Sequence, residues 1–165
     1  MNRIFILCVE DEFEVLDAVV KDLAEFEKVF PVESARSSEE ARRMVKKIAA
    51  AKDKVGLIIC DHIMPDENGV ELLADLQTRP ETAQARKVLL TGQAGLDATI
   101  KAINEAGLNH YIAKPWKKDE LAAVIKKELT QYVIMNERNL MPYMGLLDAG
   151  KLAEAIHIRG YGADR

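Results

Sequence analysis

The feature that most restricts how this chain can fold is an alternation: short, wholly apolar runs are followed, five times over, by stretches with helical spacing. Residues 3–9 form the first run, rich in Ile, Phe and Val, and are short enough for a strand buried on both faces. Phe13, Leu16, Val19, Val20, Leu23 and Phe26 then recur at the spacing of an amphipathic helix. Residues 29–34 read as a second strand. Ser37-Ser38-Glu39-Glu40 reads as a capping box opening a helix with Ala41, Met44, Val45 and Ile48 inward. A third strand over 55–60, a helix over 69–77 and a fourth strand over 87–91 continue the series. A helix over 96–106 stops at Gly107, a suitable C-cap, before a fifth strand over 108–113. Another helix starts near Lys117 and runs long. Strands without a polar face need helices on both sides and crossovers between parallel neighbours, so the pattern predicts a doubly wound α/β sandwich.

The length of 165 residues suits one domain with an appendage, and 48% hydrophobic content supplies a real core. A net charge of -4 argues against bulk electrostatic binding of nucleic acid or anionic lipid. The basic pairs Arg42-Arg43, Lys46-Lys47, Lys117-Lys118 and Lys126-Lys127 read as solvated helix faces balanced by acids. Cys8 and Cys60 are too few for a disulfide framework or a zinc finger and read as small core residues, so a reduced, cytoplasmic setting is expected. No stretch resembles a signal peptide or membrane span.

In doubly wound folds the chemistry lies beyond the carboxyl ends of the strands. There the sequence places Glu10-Asp11, Asp61, Thr91 and Lys114. Three acids held close repel one another unless a divalent cation neutralises them, and oxygen-only ligands suit Mg²⁺ or Mn²⁺. An adjacent Lys and Thr suit a phosphoryl group. Neither a dinucleotide-type nor a P-loop-type glycine motif is present, so side chains must hold the phosphate. A small Mg²⁺-dependent phosphatase with Asp61 as nucleophile is the alternative. It is disfavoured because Ile63 stands where a second Asp would serve as general acid.

The acids in Val9-Glu10-Asp11-Glu12, the segment Asp61-His62-Ile63-Met64-Pro65 with Gly69, Leu90-Thr91-Gly92, Tyr111 and Lys114-Pro115-Trp116 together resemble a response-regulator receiver domain of two-component signalling, over residues 1 to about 128. The resemblance implies a flavodoxin-like sheet of order 2-1-3-4-5. It makes Asp61 the acceptor of a phosphoryl group from a histidine kinase or phosphotransfer protein. Mg²⁺ would be bound by Glu10 (through water), Asp11, Asp61 and the backbone carbonyl of Ile63. Lys114, Thr91 and the Gly92 amide would contact the phosphoryl oxygens, and a cis Lys114–Pro115 bond would aim the lysine. Thr91 and Tyr111 would form the switch, Tyr111 moving from an exposed toward a buried rotamer. The face of the fourth helix, fifth strand and fifth helix, with Lys101, Asn104, Glu105, His110, Trp116 and Lys117 as candidates, would meet a downstream protein. Such a chain is a signalling switch that turns over only its own phosphoryl group. Ile63 and Gln93 would flank the path of a hydrolytic water.

Residues 129–165 are read as a helical extension too short for a DNA-binding output domain, so no direct nucleic-acid contact is expected. The segment is strongly apolar and must be covered. Ile125, Leu129, Tyr132 and Asn136, on a helix running to about Asn139, have 4-3-4 spacing that offers a homodimer seam. Packing on the receiver or on a partner is equally open.

Overall fold

The computed structural model describes residues 2–92 and 104–163. Its strands are β1 (Ile4–Val9), β2 (Val32–Ala35), β3 (Lys54–Asp61), β4 (Arg86–Thr91) and β5 (His110–Ala113). They form one parallel sheet in the order β2-β1-β3-β4-β5. The helices are α1 (Phe13–Asp22), α2 (Ser38–Ala50), α3 (Gly69–Gln77), α4 (Lys118–Asn136) and α5 (Ala149–Ala163), with a 3-10 turn at Met141–Tyr143. Among the described residues no helix is long and apolar enough to cross a membrane.

All six residues of β1 are buried because they feed two cores in alternation. Ile4, Ile6 and Cys8 join Leu16 and Val19 of α1 and Leu121 and Ile125 of α4. Phe5, Leu7 and Val9 join Val45 of α2 and Leu72 and Leu76 of α3. The uninterrupted apolar runs in the sequence follow directly from this two-sided burial. Cys8 and Cys60 are free, buried thiols within it.

Local signals fix several element ends. At α2 the Ser37 hydroxyl accepts the Glu40 amide at 3.1 Å, while the Glu40 carboxylate accepts from the Arg36 amide at 3.1 Å. Asn68 caps α3 through Val70 N–H at 2.8 Å. Gly107 has φ +64°, as a left-handed C-cap requires. Only residues 104–106 of the helix expected over 96–106 are described, and they are helical.

Three sequence expectations shift. The second strand lies at 32–35 rather than 29–34, because the chain after α1 winds through turns that sink Phe26 and Phe30 into the core. Phe13 does not face inward: it is exposed, with the Arg36 guanidinium 5.8 Å from its ring centroid. The long helix ends at Asn136, and its proposed dimer seam is occupied, since Ile125, Leu129 and Tyr132 are buried in the chain's own core.

The segment after α4 folds back onto the α1–α4 side of the sheet. Leu140, Leu147 and Leu152 are buried in the same cluster as Leu23, Phe26 and Phe30, and the Tyr143 ring stacks on Phe30 with centroids 5.6 Å apart. Asp148 N–H donates to the Thr130 hydroxyl at 3.2 Å. The Arg159 guanidinium donates to the carbonyls of Ile134, Glu137 and Arg138, satisfying acceptors that the end of α4 leaves open. Ile158, further along α5 from the buried Leu152, is exposed.

Candidate functional site

The carboxyl ends of β1, β3, β4 and β5 converge because the strands are parallel and in register: Val9 lies beside Cys60, Asp61 beside Leu90, and Thr91 beside Ala113. Glu10 and Asp61 are almost fully buried, and Asp11 is partly so. One carboxylate oxygen from each of the three lies within 4.8 Å of the others. Lys114 reaches across from the end of β5, with its Nζ 2.7 Å from Asp61 Oδ1 and 3.3 Å from Glu10 Oε2. The Lys114–Pro115 bond is cis.

The charges of the cluster are unbalanced. Burial pushes the Glu10 carboxyl up to about 7, with the Asp61 charge adding to the rise and Lys114 opposing it. Burial also works against the Lys114 ammonium, but the hydrogen bond and charge of Asp61 and the charge of Glu10 outweigh it, and its pKa is raised. Among the described residues, one ammonium therefore faces three acids. A pocket of clustered hard oxygens with an excess of negative charge fits a divalent cation such as Mg²⁺.

The loop after β3 is held closely. Gly69 N–H donates to the His62 carbonyl at 2.7 Å, and a Cβ at position 69 would come within 1.9 Å of the Asp61 carbonyl oxygen. Only glycine lets α3 start so close to the end of β3. The loop is also tied to α2: Arg42 donates to both oxygens of Glu67 at 2.7 and 2.9 Å and to Asp75 at 2.9 Å, and Ser38 N–H donates to Asp66 at 3.0 Å. Arg42 is thus an anchor of the site loop rather than a solvated surface charge. Its partners stand 25 and 33 residues away, so local spacing carried no signal of them.

The family model for the response regulator receiver domain matches residues 6–126. This chain belongs to that family. The hydrogenase transcriptional regulatory protein HoxA of Cupriavidus necator is 33% identical over 123 residues, which are 74% of this chain and 23% of HoxA. The transcriptional regulatory protein CpxR of Klebsiella pneumoniae is 33% identical over 127 residues, 76% of this chain and 48% of CpxR. The chain therefore spans about a quarter to a half of these curated relatives. Among solved structures, a CheY-like receiver domain protein from Methanospirillum hungatei matches with TM-score 0.67 and 29% identity, covering 80% of this chain and 97% of that one. The signal receiver domain of an HD domain-containing protein from Pseudomonas fluorescens matches with TM-score 0.68 and 26% identity, covering 80% and 98%. The phosphatase alternative gains no support from these comparisons.

Within the receiver frame, Glu10, Asp11, Asp61, Thr91 and Lys114 sit at the strand ends as the sequence places them. Thr91 is buried and its hydroxyl lies 3.2 Å from His62 Nδ1, a contact the sequence reading missed. Tyr111 is 45% exposed. Ile63 presents its side chain to solvent beside the site. A Cβ at Gly92 would meet nothing among the described residues. Of the candidate output residues, Asn104, Glu105 and Lys117 are exposed, and Lys101 lies outside the described residues, as does Gln93. Trp116 turns instead toward α1, donating from Nε1 to Asp22 at 2.9 Å.

Proposed function

We propose that residues 1–128 act as a phosphorelay switch in which Asp61 is the phosphoacceptor, with residues 129–165 as an extension packed on it. The observation that supports this best is the placement of the Lys114 ammonium between Asp61 and Glu10 with Asp11 alongside. An Asp61 carboxylate oxygen attacks the phosphorus of a phosphohistidine on a histidine kinase or phosphotransfer protein. The new P–O bond forms as the P–N bond breaks, and the donor imidazole leaves with the electron pair. Bringing two anions together is repulsive, and bound Mg²⁺ supplies the charge neutralisation. Glu10, Asp11, Asp61 and the Ile63 carbonyl would hold it, Glu10 through water. Lys114 places a positive charge at one phosphoryl oxygen, while the Thr91 hydroxyl and the Gly92 amide donate to others.

The output is conformational. Drawing the Thr91 hydroxyl toward the phosphoryl group vacates space behind it, and the exposed Tyr111 ring moves inward, reshaping a face that includes β5 and the start of α4; most of the fourth helix expected there from the sequence lies outside the described residues. Phosphorylation shifts an equilibrium between the two arrangements. A downstream protein reads that face, so the protein acts as a switch rather than a turnover enzyme, in the cytoplasm. Incubation with acetyl phosphate and Mg²⁺, followed by intact mass, should show one added phosphoryl group. It should be absent with chelator or in Asp61→Asn; an unmodified wild type or an equally modified Asp61→Asn would refute the assignment.

A further inference from the structure

His62 follows the proposed phosphoacceptor directly, and its place is set by the backbone on both sides. Its N–H donates to the Leu90 carbonyl at 2.9 Å, and its carbonyl accepts from Gly69 at 2.7 Å. The backbone of His62 is thereby held to the end of β4 and the start of α3, and its ring Nδ1 lies 3.2 Å from the Thr91 hydroxyl oxygen. An imidazole nitrogen and a hydroxyl can pair with either as donor. In both cases the contact favours the hydroxyl position seen here. Thr91 is buried, so a contact its hydroxyl gives up is not replaced by bulk water.

We propose that His62 is a positioning residue for Thr91: its Nδ1 competes with the phosphoryl group for the Thr91 hydroxyl and so sets how readily the loaded arrangement forms. The inference rests on the proposed role of Asp61 and Thr91, and it adds a specific brake built from a side chain that does not touch the phosphoryl group. Replacing His62 with a residue of similar bulk that cannot hydrogen-bond removes the competitor and shifts the balance toward the loaded arrangement. Asn, whose side-chain amide reaches about as far as Nδ1, can keep the contact.

The test is the affinity of the full chain for beryllofluoride with saturating Mg²⁺, an acyl-phosphate mimic, followed by the fluorescence of Trp116, the single tryptophan. His62→Leu should bind about three- to five-fold more tightly than wild type, the factor that one ordinary hydrogen bond gives, and His62→Asn should stay near wild type. In a Thr91→Val background, His62→Leu should change nothing, because no hydroxyl remains to be released. His62→Phe decides by the same criterion if the Leu variant does not fold. Unchanged or weaker binding in the apolar variant, an equal shift in His62→Asn, or the same shift without the Thr91 hydroxyl would each overturn the proposal. A wild type that binds no beryllofluoride would overturn the phosphoacceptor reading itself and the brake with it.

Discussion

At the scale of the residue, the proposed function gives Lys114, Asp11 and Ile63 different parts in the site. Lys114 already neutralises Asp61 at 2.7 Å, so a bound cation must relieve the remaining acids, and Asp11 is the most accessible of them. Asp11→Ala should weaken Mg²⁺ binding by about ten-fold or more, the effect of losing one directly ligating carboxylate; a calorimetric titration that matches wild type would remove Asp11 from the ligand set. Ile63 has a different job. Its side chain is 69% exposed at the mouth of the site and cannot orient a water molecule. Ile63→Asn should therefore speed loss of the phosphoryl group by about three- to ten-fold, the range one positioned hydrogen bond commands, and leave phosphorylation by acetyl phosphate intact. Radiolabel decay no faster than wild type would show that water access is set elsewhere. These residues were legible in the sequence because each sits where an apolar run ends, and the end of a parallel strand is a place rather than a pattern. His62 was not, because its partner Thr91 is brought to it only by the pairing of β3 with β4.

At the scale of the element, the two ends of the sheet behave differently. Near the start of β4 stands Lys87, fully buried, whose ammonium group donates to the carbonyls of Thr82 and Ala85, with no acid paired to it among the described residues. Burial brings its pKa down from 10.5 to about 8, with the nearby Arg86 charge adding to the fall. Between those values the unfolded chain still carries the proton and the folded chain has released it, so the contribution of this group to stability rises with pH through that window and is flat below it. Relative to Lys87→Met, the wild type should gain about 2 kcal/mol in urea unfolding between pH 8 and 10, while the buried Cys8 and Cys60 thiols, whose pKa values burial raises, lower stability above about pH 9 equally in both proteins; an identical pH dependence in the two would show that Lys87 does not carry it. The alternation of apolar runs announced β1, β3 and β4 because both faces of each are buried. β2 is an edge strand with mostly half-buried side chains, and the apolar Val29 and Phe30 before it belong to turns, so period alone misplaced it by about three residues at its start.

At the scale of the whole molecule, the extension is part of the fold. The spacing of Ile125, Leu129 and Tyr132 reads equally as a seam for a second chain or as a core face, and sequence cannot separate the two because both demand the same residues. The structure resolves this by laying Leu140, Leu147 and Leu152 over that side of the sheet. Leu147→Ala and Leu152→Ala should each cost about 2–4 kcal/mol in urea unfolding, as a buried leucine does, without loss of Asp61 phosphorylation in the folded protein. Values near zero would mean that the extension is only loosely seated. The switch and its covering are thus built on opposite ends of the same helix, α4 starting beside Lys114 and ending under Arg159. The measurement that bears most directly on this account is the position of the phosphoryl group. After reaction with acetyl phosphate and Mg²⁺, borohydride reduction and peptide mapping should find homoserine at position 61 and at no other aspartate. Reduction product at another residue, or at position 61 to the same extent without Mg²⁺, would contradict it.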